Sequence, residues 1–145
     1  MRDLESRKRD VIAALEKQGK YFLVSTDVAG RPHVIGVSGW WVDGQIVVTT
    51  LGTSRSARNM AMNPQVTLAH GDPSDAIVIE AQVIDSSAVE DSAELAGGFH
   101  AAMGWDPREM DGWVFYRLRP TRIQAFRGYD EIGGRDVMLR SRWLA

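Results

Sequence analysis

The 145-residue chain contains no cysteine. That removes disulfide scaffolds, thiolate metal sites, iron–sulfur clusters and cysteine nucleophiles in one step. It also lacks any run of about 18 apolar residues, the length a membrane-spanning helix needs, so no membrane partner is expected. An excess of one charge is missing too: 17 Lys and Arg stand against 19 Asp and Glu, a net charge of -2. No basic surplus is left to attract nucleic acid. From Met1 to Lys20 the charges alternate, with no basic start leading into an apolar stretch. No secretory signal is therefore read, and a cytoplasmic location is expected.

Ready-made catalytic and metal motifs are scarce as well. His33, His70 and His100 are far apart and form no i, i+4 pair, which argues against zinc. No Gly-x-Ser-x-Gly elbow supports a hydrolase. Asp72, Asp75 and Glu80 lack the glycine and oxygen spacing of an EF-hand and read as solvated acids. No metal is expected, and His33 reads as a packing or turn residue.

What is present fits one domain spanning residues 1–145. Leu4, Val11, Ile12 and Leu15 recur at helical spacing, with Gly19 at the expected C-cap. A strand over 21–26 follows, then a turn at Asp27–Arg31 with Gly30 inside it. Residues 32–41 read as extended. Asp43-Gly44 before Ile46–Thr50 is a two-residue hairpin signal. In the 32–41 segment, His33, Ile35, Val37, Gly39 and Trp41 alternate with Val34, Gly36, Ser38 and Trp40. Gly36 and Ser38 thin one face, a possible wall for a flat ligand, unless Gly36 and Gly39 serve only to relieve barrel bending.

Residues 51–60, Leu-Gly-Thr-Ser-Arg-Ser-Ala-Arg-Asn-Met, form a small-residue loop entering a helix that must stop near Asn63-Pro64. Hydroxyls, two arginines and free amides meet at that helix start. They compose either a phosphate site or an ordinary solvated N-terminus capped by Ser54 or Ser56. Strands are expected at 65–71 and 76–84. Ser87 and Glu90 form a capping-box pattern ahead of a covering helix with Leu95, Phe99, Ala102 and Met103 on one face, closed by Gly104. Residues 113–118 and 121–126 read as two strands divided by Pro120, followed by a Gly-rich tail ending in Trp143. Of the five tryptophans, at most one or two are expected to touch a ligand; the rest fill the core or an interface.

A mainly β chain with flanking helices needs its sheet edges closed, which favours a small barrel. The order of Gly30-Arg31-Pro32-His33-Val34, Trp41-Val42-Asp43-Gly44, Thr49-Thr50 and the Ser54–Pro64 segment resembles the split-barrel flavin and deazaflavin oxidoreductases, typified by pyridoxamine 5'-phosphate oxidase. The resemblance implies a six-stranded split β-barrel that forms a homodimer, with FMN, or alternatively a deazaflavin coenzyme, bound between subunits. It implies that Ser54, Arg55, Ser56, Arg58 and Asn59 hold the cofactor phosphate and that Thr49 and Thr50 lie nearby. His33, Val34, Ile35, Gly36 and Val37 would offer backbone groups to the ring. The activity implied is hydride transfer to or from a small organic substrate. The alternative is a non-catalytic binding module for flavin, haem or another planar ligand. Two departures stand out. Ser56 occupies the place where many relatives carry lysine, with Arg55 one position earlier. The tail from Gly134 to Trp143 lacks the Arg-x-His signature, which argues against pyridoxamine phosphate as substrate.

Overall fold

A computed structural model describes residues 1–17 and 19–145 of the chain. The first helix, α1 (Leu4–Glu16), starts where the Asp3 carboxylate accepts the Ser6 N–H at 2.8 Å. It buries Val11 and Leu15 on one face, each worth about 1.5–3 kcal/mol of removal from water. Its C-cap is Lys17, in a right-handed conformation, and not Gly19 as the sequence suggests. Gly19 instead supplies a carbonyl to the amide of Gly39.

The strands that follow are β1 (Lys20–Thr26), β2 (Pro32–Ser38), β3 (Trp40–Val42) and β4 (Gln45–Leu51). The turn between β1 and β2 is organised by Asp27, whose carboxylate accepts the amides of Ala29 and Arg31. The hairpin between β3 and β4 holds both Asp43 and Gly44 at positive φ, the tight primed turn that matches strand twist. Helix α2 (Arg55–Met62) comes next and ends before Pro64, as expected. Then follow β5 (Gln65–Asp72), β6 (Asp75–Ala88), helix α3 (Ala93–Met103), β7 (Trp113–Arg127), β8 (Asp136–Leu139) and β9 (Arg142–Trp143).

The strands pair antiparallel in the order β2-β1-β5-β6-β7-β4-β3. The first and last members are two halves of one extended segment joined at Gly39. Counted as one, they give a six-stranded barrel whose ends meet in residues 32–42. Leu23, Ile46, Val48, Leu68, Ile79, Leu118 and Ile123 fill its interior. A second apolar cluster of Val47, Ala96, Phe99 and Phe115 lies beneath α3.

Two further sequence expectations need correction. Pro120 does not divide β7, because it sits where the β6–β7 register shifts: Glu80 faces Arg122 while Ala81 faces Pro120. The bulge at Thr121 makes the missing proline N–H harmless. Ser87 is not a helix cap but lies within β6, which runs four residues beyond its expected end. α3 starts after Ser92, whose hydroxyl donates back to the Ala88 carbonyl. In the Gly-rich tail β8 adds to β7 and turns into β9, burying Val137 and Met138.

The chain start is tied to this tail. Glu131, only 2% exposed, receives Arg2 at 2.6 Å and the amides of Arg2 and Arg127. The Arg2 side-chain hydrogen bond, with the backbone donors, holds the Glu131 carboxyl down at about 2. A folded-state value below the ordinary 4.5 stabilises the fold above about pH 4.5, and that contribution is lost as pH falls towards 2. Glu131→Gln is expected to cost roughly 3 kcal/mol at pH 7, the order for stranding a buried ionic partner. Urea unfolding at a series of pH values checks this: the difference from wild type narrows below about pH 4.5.

Candidate functional site: a cleft at the split

The site is built by what happens at Gly39. An added Cβ there would lie 2.6 Å from the Tyr21 ring and 3.2 Å from Ile46, so the strand passes flush against the barrel wall. On one side of this point the segment pairs with β1 and on the other with β4. Among the described residues, β2 therefore pairs with β1 alone, and Val48–Leu51 of β4 with β7 alone. Two strand edges face across a gap.

That gap is a cleft of about 380 Å³. Gly36, Val37 and Ser38 form one lip, and Thr49 and Thr50 the other. Lys20, Trp105 and Trp113 complete the wall. The Trp105 indole N–H donates to the Ser38 hydroxyl at 3.4 Å, and its ring meets Trp113 edge to face at 6.0 Å. Thr49 is committed inward, its hydroxyl donating to the Val114 carbonyl at 3.0 Å. At Gly36 an added Cβ would meet nothing within 4 Å, which leaves open space beside the backbone.

At the other end of β2 lies a polar hollow of about 400 Å³ bounded by Asp27, Arg31, Pro32, Arg55, Arg58 and Asn59. The start of α2 opens into it. Ser54 caps that helix, its hydroxyl accepting the Ala57 amide at 3.1 Å. Arg58 reaches back to the Thr53 carbonyl at 3.0 Å. Arg31 pairs with Asp27 at 2.9 Å, and the Arg31 backbone and side-chain hydrogen bonds hold the Asp27 carboxyl below the usual carboxylate range. Arg55 has no acidic partner among the described residues. Three arginines against one aspartate beside a helix N-terminus leave the hollow with a surplus of positive charge, which favours an anion. From Pro32 to Gly36 the strand advances roughly 13 Å, so an elongated ligand can span hollow and cleft.

The expected residues divide between these two places. Arg55, Arg58 and Asn59 border the hollow; Gly36, Val37, Thr49 and Thr50 border the cleft. Val34 and Gly36 face outward, while Ile35 and Val37 pack against the barrel interior and His33 is half-buried. Ser56 is fully buried, and its hydroxyl has no partner among the described residues. Asn59 donates its amide to Ser25 at 3.1 Å, fastening α2 to β1. Sequence reasoning did not select Lys20, Ser38, Arg31, Trp105 or Trp113 as site residues. The thin Gly36/Ser38 face was the one signal pointing there.

Neither a family model nor a curated protein matches the sequence. Solved structures do match the fold. An F420 reductase aligns with a TM-score of 0.64 at 20% identity, covering 77% of this chain and 93% of that one. A Listeria innocua protein described as a candidate pyridoxamine 5'-phosphate oxidase aligns with a TM-score of 0.63 at 15% identity, covering 83% and 98%. HutZ, the haem storage protein of Vibrio cholerae, aligns with a TM-score of 0.64 at 18% identity, covering 94% and 99%. The chain thus has the split-barrel fold of pyridoxamine-phosphate-oxidase-like proteins.

Asn59 sits in the anion hollow yet is bonded inward, so its replacement reads out as stability. Asn59→Ala is expected to cost about 1–3 kcal/mol by stranding the buried Ser25 hydroxyl. Thermal unfolding of Asn59→Ala beside Arg55→Ala, which is expected to stay within about 0.5 kcal/mol of wild type, checks the distinction.

Proposed function

We propose that the protein is a cytoplasmic, flavin-dependent oxidoreductase that binds FMN at a homodimer interface and passes hydride to or from a small organic substrate. A deazaflavin coenzyme is the close variant. The observation carrying this reading is the anion hollow and the open cleft standing at two ends of one strand edge. The donor set fits the group: Arg55 and Arg58 flank a capped helix start, and the glycine at position 36 leaves its outer face clear. When bound, the cofactor supplies the hydride chemistry, so the protein's tasks are holding and orienting. Arg55, Arg58 and the free amides of α2 would hold the phosphate. The unpaired edges of β2 and β4 would meet the polar rim of the ring.

A second copy is part of the proposal. Phe22 and Val34 are 60% and 54% exposed on the outer sheet face. Phe22 lies beside Gly36 and Ala69, and Val34 beside Val24. An apolar strip of this kind is covered in a dimer with a polar rim, and it reaches the cleft at Gly36.

A haem carrier is the reading that HutZ suggests; the cleft lining itself holds no histidine, tyrosine or methionine, while His70 and Tyr21 line a smaller hollow that also borders Lys20 and Gly36. Absorbance titration of cofactor-free protein with FMN, the deazaflavin coenzyme and haemin separates the three. The expected result is micromolar or tighter binding of one flavin, weakened tenfold or more in Arg55→Ala and Arg58→Ala. Haemin binding alone, with a Soret shift, overturns the oxidoreductase reading. Sedimentation is expected to give a dimer for wild type and a monomer for a Phe22→Glu/Val34→Glu variant.

A further inference from the structure

Where β6 ends and β7 begins, the loop that follows α3 leaves a hollow of about 360 Å³, which shares only Trp113 with the cleft. The loop is fixed by its own bonds. The Asp106 carboxylate accepts the Arg108 amide at 3.0 Å, and the Gly112 carbonyl accepts the Gly52 amide at 2.8 Å. Gly112 turns the chain into β7 at a φ of 73°, a conformation that favours glycine. The walls are mainly apolar: Ala88, Val89, Met110, Trp113 and Val114. A hollow of this size and lining, held by a braced rim, is of the kind that takes a small organic molecule.

Its charge is of one sign once the existing pairs are counted. Three charged side chains stand in the lining, Glu90, Arg108 and Asp111. The arginine is already matched, its Nε donating to the Asp106 carboxylate at 2.8 Å. Glu90 and Asp111 have no basic partner among the described residues. Around them, residues 85–111 hold seven acids against that one arginine. Two exposed carboxylates alone would mark only a solvated surface. Here they border a hollow walled by tryptophan, the aromatic side chain that best attracts a cation, and by the polarisable thioether of Met110.

We infer that this hollow is a second binding site, for an amphiphilic organic cation: an ammonium group carried on a small aromatic body. The body lies against Val89, Trp113 and Val114, and the ammonium meets the carboxylates of Glu90 and Asp111. The site needs no cofactor and uses neither the anion hollow nor the strand edges of the cleft, so it stands whether or not a flavin binds.

The experiment titrates the full chain by calorimetry at low salt with 2-phenylethylammonium and separately with 2-phenylethanol, its uncharged counterpart of nearly the same shape. The expected result is about fivefold or greater preference for the cation, abolished in Glu90→Gln/Asp111→Asn. Glu94→Gln/Glu109→Gln removes the same charge from this flank outside the lining and is expected to keep the preference. Met110→Ser is expected to weaken both ligands together. All four acids are exposed and have no side-chain partner among the described residues, so their replacement leaves the fold intact, and circular dichroism checks this. Equal affinity for the two ligands or failure of both to bind overturns the inference. So does a preference that survives in Glu90→Gln/Asp111→Asn, or one lost equally in Glu94→Gln/Glu109→Gln.

Discussion

The ring of Tyr21 lies against the Cα of Gly39, and at that point the extended segment 32–42 changes partners. Before Gly39 it belongs to β1; after it, to β4. Any side chain at position 39 would collide with a buried aromatic ring and push the segment off the barrel. Because it fits, the barrel closes through covalent continuity of one strand. The gap that remains between β2 and the far half of β4 is the cleft. Its unpaired backbone edges would be a liability on a flat sheet, since they can recruit another strand. Here Trp105, tied to Ser38, covers part of that approach.

Charge is distributed on the same plan. Near the chain's start and tail two arginines are paired with acids: Arg2 with Glu131 and Asp10, Arg127 with Asp75 and Asp10. These pairs hold α1, β7 and the tail together. Around the split, Arg55 and Lys20 have no such partners among the described residues. A ligand carrying negative charge at both ends would find counter-charges at either end of β2.

Much of the fold was readable because its signals are local. Asp43-Gly44 can adopt the positive φ angles a primed turn needs, so the hairpin follows from two residues. The helix at 55–62 was bounded by a serine cap and by Pro64. Pro120 misled because whether a missing N–H matters depends on the neighbouring strand's register, which only the bulge opposite Glu80 and Ala81 decides. Ser87 misled because the capping-box pattern is short, and long pairing with β7 outweighs it. The cleft wall was hidden for a further reason. Lys20 and Ser38 are partners in the β1–β2 hairpin, but Trp105 reaches Ser38 from beyond α3, and no spacing in the sequence relates it to them.

The helix at the split shows how a linear motif turns into two separate jobs. Successive residues of an α-helix point about 100° apart, so positions three apart share a face. Arg55 and Arg58 form one such pair and border the anion hollow. Ser56 and Asn59 form another and are buried, Asn59 bonded to Ser25. The serine at position 56, where many members of the family the sequence resembles carry lysine, lies on the buried face and not on the face that borders the hollow. The charge stands instead at position 55, on the face that Arg58 shares. The Arg-Asn pair likewise divides: its arginine reaches the Thr53 carbonyl at the loop entering the helix, while its asparagine anchors the helix that presents that arginine.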